Sequence, residues 1–171
     1  MSDAQDIAGV YQAITLLGQV TGHSDEAAAV VSSMQETFAK YTVSESSGKS
    51  VYFEISPLAW GLWTGGSGVF MNELAEMVGL TNAFADVDGW ASVSEEQVIA
   101  RDPDIIITTT TDYGTEPSPV DEILGRTGWE QLKAVVNGQV FQADNDSITR
   151  PGPRLADAAA WLYGLVWGTA E

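Results

Sequence analysis

An α/β fold built on a mainly parallel, Rossmann-like sheet covered by helices is what this sequence predicts, and three observations predict it. Short runs rich in β-branched and aromatic residues, Val51-Tyr52-Phe53-Glu54-Ile55, Ile105-Ile106-Ile107 and Val140-Phe141, alternate with stretches of helical period. The isoleucines inside Asp104–Thr109 put apolar side chains on both faces, as a central strand of a covered parallel sheet requires. The 171 residues are 44% hydrophobic and only 18% charged, enough to bury one ordinary core and to exclude intrinsic disorder.

Taken in order, Ile7, Val10, Tyr11, Ile14 and Leu17 form one helical stripe that Gly18 and Thr21-Gly22 close. Ser24 or Asp25 caps a second helix with its stripe on Ala27, Val30, Val31, Met34, Phe38 and Tyr41. The polar segment from Ser44 to Ser50 is a loop and the best internal boundary. The strand at Val51–Ile55 stops at Ser56-Pro57, and the turn Gly65-Gly66-Ser67-Gly68 feeds a helix through Phe70, Leu74, Met77 and Val78. Ser94 with Gln97 forms a capping box for a helix ending before Pro103. Ser118-Pro119 starts a short helix, Thr127 with Glu130 boxes another, and Pro153 starts the last, striped by Leu155, Ala158, Ala159, Leu162 and Val166.

Charge narrows the function. With 7 Lys+Arg against 24 Asp+Glu the chain carries −17, which repels phosphate backbones and anionic lipid surfaces, so broad nucleic-acid or membrane binding is excluded. No cysteine is present, so disulfides, thiolate metal sites and Cys nucleophiles are excluded, and a single histidine cannot build a zinc cluster. The acidic start lacks the basic and apolar regions of a signal peptide, and the helical pattern is running by Ile7, which favours a piece of a longer chain. Gly65-Gly66-Ser67-Gly68 misses the spacing of a nucleophile elbow because Val69 stands where a glycine belongs; a tight turn is the simpler reading, though one whose free N–H groups offer themselves to a ligand. Six tryptophans are many for this length. Trp60, Trp63 and Trp90 stand beside Gly, Pro or Ser in segments read as loops, where they line a cleft or simply pack.

Four ordered segments carry a family resemblance. Trp90 to Ile107 resembles the "VS-x-E…L…PD-(I/V)-I" stretch of substrate-binding proteins that serve ABC importers for iron-siderophores, haem and cobalamin. Trp63 to Phe70 with Gly79 to Phe84, Trp129 to Phe141, and Arg150-Pro151-Gly152-Pro153-Arg154 resemble further segments in the same order, although Val69 and Leu80-Thr81 depart from the family pattern.

The resemblance implies one lobe of a two-lobe, helical-backbone periplasmic binding protein. Residues 1–22 would then be the last helix of a first lobe, 23–50 the connecting helix and loop, and 51–171 the C-terminal ligand-binding lobe. It implies no catalysis and no resident cofactor, the ligand being a ferric siderophore, a corrinoid or haem. Partners would be the importer's permease subunits and the missing first lobe. The location would be extracytoplasmic, in the periplasm or lipid-anchored on the cell surface, and apolar stripes left uncovered would favour self-association. By position, Glu96 matches a surface carboxylate that docks the permease, and Arg150 an arginine facing the cleft. Trp60, Trp63, Trp90, Tyr113 and Arg150 are expected on one partly open face, with Arg150 the single cation for an anionic ligand. Tyr113 is the candidate axial ligand of an alternative haem carrier. A small α/β enzyme is a third reading, which lacks a nucleophile and base within reach of each other.

Overall fold

Alternation along one strand decides the layering. In the computed structural model, which describes residues 4–112, 114 and 117–168, strand β1 (Ser50–Glu54) sends Val51 and Phe53 into one core and Tyr52 into another. The chain enters through helices α1 (Ile7–Thr21) and α2 (Ser24–Tyr41) before β1. It continues through β2 (Trp63–Gly65), α3 (Phe70–Met77), β3 (Thr81–Asn82), β4 (Trp90–Ser92), α4 (Glu95–Arg101) and β5 (Ile105–Thr108). The last elements are α5 (Pro119–Leu124), α6 (Lys133–Val136), β6 (Val140–Gln142), α7 (Asn145–Ile148) and α8 (Leu155–Trp167). The main sheet has the order β3-β1-β5-β6, all parallel, with Tyr52 opposite Ile106 and Ile107 opposite Phe141.

Both faces are covered, as a parallel sheet demands. Ile105 and Ile107 join Val51 and Phe53 under Val10, Met34, Phe38, Leu74 and Leu162, so α1, α2, α3 and α8 form one layer. Ile106 and Tyr52 face Val98, Ile123, Trp129 and Ala134, which bring α4, α5, α6 and the turns between them onto the other side. Strands β2 and β4 form a separate antiparallel ribbon, with Gly65 opposite Trp90, held at the end of β1 by a bridge between Ser56 and Trp63.

The structure departs from the sequence reading in four places. Trp63 and Trp90 lie on three-residue strands and not on loops. Their partners are distant in sequence, so neither run is long enough to show a period of two. The second helix starts at Ser24, with His23 in the cap position and no side-chain cap. Its junction is closed by backbone instead: the His23 N–H donates to the Gly18 carbonyl (2.8 Å), and the His23 carbonyl accepts from Ala27 (3.0 Å). Thr127 to Leu132 forms turns in place of a boxed helix, because the Glu130 carboxylate accepts from the nearer Gly128 N–H at 2.6 Å. Finally, Pro153 lies in a turn and the last helix begins at Leu155.

Candidate functional site

In an open parallel sheet the carboxyl ends of the strands, with the connections that follow them, make the natural ligand surface. Here β1 ends at Glu54, β5 at Thr108 and β6 at Gln142, and two hollows open beyond them. The larger, of about 530 Å³, lies past β5 and β6 between Thr111-Asp112 and the segment Gln142–Asp146, with Arg150 on its wall. The smaller, of about 220 Å³, lies past β1 and β5 and is lined by Glu54, Pro57, Trp60, Thr110 and Glu122. Thr111 lines both, so the hollows adjoin.

Trp60 sits on a single 3₁₀ turn, Leu58–Trp60, and 81% of it is exposed on the rim of the smaller hollow. Arg150 follows α7 and lines the larger one. It is not a free cation: its Nε–H donates to Asp146 Oδ1 at 2.7 Å. Arg154 holds the other oxygen of Asp146 at 3.1 Å and stands 3.8 Å from Asp144. Trp63 is partly exposed on β2 beside Ser56, and it lines neither hollow. Trp90 is half-buried over Gly65, packs edge-on to Phe70 at 5.5 Å and donates Nε1–H to Gln5 Oε1 at 3.1 Å, so it too lines neither. Tyr113 lies outside the described residues.

Two donors of the turn at residues 65–68 are taken up by the segment before β4. The Gly66 and Ser67 N–H groups donate to Gly89 and Val87 carbonyls at 2.8 and 2.7 Å, and a Cβ on Gly66 would stand 2.0 Å from the Val87 oxygen. No N–H of those two residues remains for a ligand, so for Gly66 and Ser67 the expectation drawn from the sequence does not hold.

Glu96 is exposed, the second residue of α4 behind a formed Ser94/Gln97 capping box. Hydrogen bonds from the Ser94 side chain and its own backbone N–H hold its carboxyl below the usual range. Two links tie this helix start to the end of β1: Val93 N–H donates to Leu62 O, and Ile55 N–H to Trp63 O.

The most constrained charges here were not singled out in the sequence. Glu54, 1% exposed, accepts two hydrogen bonds from Arg126, at 2.6 and 3.0 Å. Arg126 is itself buried, also binds Glu122, and stacks 4.4 Å over the Trp129 ring. Burial raises the Glu54 carboxyl, and the Arg126 hydrogen bonds and charge oppose that rise. Burial works to lower the Arg126 pKa, but its bonds to Glu54 and Glu122 outweigh it and push it up. The signal that could have found them is one glutamate in an otherwise apolar strand run, in a chain with only seven Lys and Arg to answer it. Among the described residues, no group of three or more His, Cys, Asp or Glu gathers to hold a metal ion. His23 pairs with Glu26 in the exposed helix junction.

Comparison with known proteins decides the family. Residues 1–147 match the family described as periplasmic binding protein. This chain belongs to that family. An uncharacterized ABC transporter substrate-binding lipoprotein of Bacillus subtilis (strain 168) is 33% identical over 172 residues, covering 98% of this chain and 52% of that protein. A cobalamin-binding protein of Halobacterium salinarum is 24% identical over 97% of this chain and 46% of its own length. This periplasmic binding protein chain thus spans about half the length of the curated relatives it matches. Among solved structures, a possible iron-binding periplasmic solute-binding protein from Staphylococcus epidermidis ATCC 12228 superposes with a TM-score of 0.82. That match has 30% identity and covers 96% of this chain and 64% of the other. The likeness extends through the parallel sheet and its helices, so the carboxyl edge is part of a shared fold.

Proposed function

We propose that this chain is the C-terminal half of a substrate-binding protein that captures a metal chelate, a ferric siderophore or a corrinoid, outside the cytoplasm and delivers it to an ABC importer. The observation that carries this reading is the pair of adjoining hollows beyond the carboxyl ends of β1, β5 and β6, with exposed Trp60 on one rim and Arg150 on the other wall. The Halobacterium relative is a cobalamin-binding protein and the Staphylococcus one a possible iron-binding protein, which supports the ligand class. Residues 51–171 act as the ligand-binding lobe, 23–50 as the connector, and 1–22 as the end of a first lobe. An exposed run on α1, Leu16, Leu17 and Val20, supports that division, since it is apolar surface that a first lobe would cover. Binding is the whole task of the protein, and no bond is made or broken.

Glu96 meets the permease in this reading, which its exposure at the start of α4 supports. The test is titration of the full-length protein that carries this chain with ferric siderophores, cyanocobalamin and haemin, followed by tryptophan quenching and heat. Saturable binding of one chelate, but not of its metal-free form, is expected. Trp60→Ala should weaken it about tenfold, the scale of an aromatic contact worth roughly 1 to 1.5 kcal/mol. Glu96→Arg should leave that affinity intact and reduce import. Equal loss of affinity and import in Glu96→Arg would make it a ligand or structural residue, and no saturable binding of any chelate would reject the reading.

A further inference from the structure

The charge of the ligand can be read from how the cations of this edge are spent. Beyond the strand ends stand Glu54 and Glu122 in the smaller hollow, and Asp112, Asp144 and Asp146 in the larger. Against these five carboxylates are three guanidiniums, and each is already committed. Arg126 lies between Glu54 and Glu122, and Arg150 and Arg154 share Asp146. The lysines are elsewhere. Lys40 is in α2, Lys49 precedes β1, and Lys133 pairs with Asp102 ahead of β5, on the amino side of the sheet. An anionic ligand would have to share a guanidinium that already answers a carboxylate, Arg150 through the N–H groups it does not spend on Asp146, and would face a net negative surface meanwhile. A cation meets carboxylate and, in the smaller hollow, an exposed indole face beside it: Trp60 and Glu122 line the same 220 Å³ space.

We infer that the ligand is a chelate with net positive charge, carrying an alkylammonium arm that lodges in the smaller hollow between the Trp60 face and the Glu54–Arg126–Glu122 group. The arm is neutralised by the carboxylate charge left over when one guanidinium serves two glutamates. Arg150 and Arg154 then shape the wall of the larger hollow and hold Asp146, and they are not receptors for an anion. This inference rests on the proposed function, because it assumes that this edge faces the chelate.

A series of one chelate separates charge from shape. Ferrioxamine B carries a free terminal ammonium and is cationic; its N-acetyl form is neutral and its N-succinyl form anionic, with the iron-binding groups unchanged. Titrated into the full-length protein that carries this chain, the cation should bind about tenfold more tightly than the neutral form, and the anion most weakly. One charge pair at several ångströms in a partly screened site has that scale. Glu122→Gln, which keeps the Glu54–Arg126 pair, should shrink the preference several-fold, and 0.5 M NaCl should shrink it too. Equal or tighter binding of the anionic form, a preference indifferent to Glu122→Gln, or binding of ferric citrate with none of the series overturns the inference while leaving a chelate-binding protein. Failure to bind any chelate at all overturns both.

Discussion

Arg126 and Glu54 form the most deeply buried ion pair among the described residues. The Arg126 side chain is 2% exposed and answers a Glu54 side chain that is 1% exposed. Removing one partner of a buried pair leaves an uncompensated charge, so Arg126→Met is expected to destabilise the fold by about 3 to 5 kcal/mol in urea unfolding. The double variant Glu54→Gln, Arg126→Met should recover part of that loss. A single variant as stable as the parent would mean that water already reaches Glu54.

Asp104 gives the pH dependence. Burial works to raise its carboxyl, but the Ser50 N–H and Oγ–H, each 2.8 Å from Oδ2, outweigh burial and lower it. With the folded pKa below the unfolded value, the unfolded chain binds more protons, so stability rises with pH. The contribution is complete above the unfolded value near ~3.9 and is lost as pH falls through the folded one. Asp104→Asn should flatten the acid limb of a stability-against-pH curve below about pH 4. An unchanged limb would show that the Ser50 contacts do not distinguish the two protonation states.

Among the elements, the α1–α2 hairpin is closed by a contact between small residues. A Cβ on Gly18 would come within 2.4 Å of Ala27 Cβ and 2.9 Å of the His23 carbonyl, so the helices cross where only glycine fits. Gly18→Ala, otherwise favourable in a helix by about 0.5 to 1 kcal/mol, is expected here to cost about 1 to 3 kcal/mol as overpacking. A denaturant midpoint that rises instead of falling would mean the hairpin opens freely. The sequence marked Gly18 as part of a helix end, but its role belongs to a neighbouring helix. The capping box of α4 was legible for the opposite reason, since Ser94 and Gln97 satisfy each other within one turn. The β2–β4 ribbon was not legible, because each strand has three residues and finds its partner 25 to 29 positions away, from Gly65 opposite Trp90 to Trp63 opposite Ser92.

At the scale of the whole molecule, α1 carries an uncovered apolar surface. Leu16, Leu17 and Val20 are 60%, 64% and 77% exposed, and with Pro151–Pro153 they line a depression of about 590 Å³. In isolation this chain should associate through that face as concentration rises, and Leu17→Glu should shift sedimentation toward the monomer without lowering stability by more than about 0.5 kcal/mol, as for an exposed site. Association indifferent to Leu17→Glu would place the contact elsewhere.

By itself the sequence determined the parallel α/β class, the two apolar faces of the triple-isoleucine strand and the caps of α4 and α5, because each is written in residues close together in the chain. It also carried the family, through four segments in a fixed order. Only the tertiary structure decided which polar residues meet. Glu54 and Arg126 are 72 positions apart, and Trp90 reaches Gln5 across 85. Hydrophobic period is a property of a segment and survives in the sequence, whereas an ion pair is a property of distance and exists only once the sheet has brought its ends together.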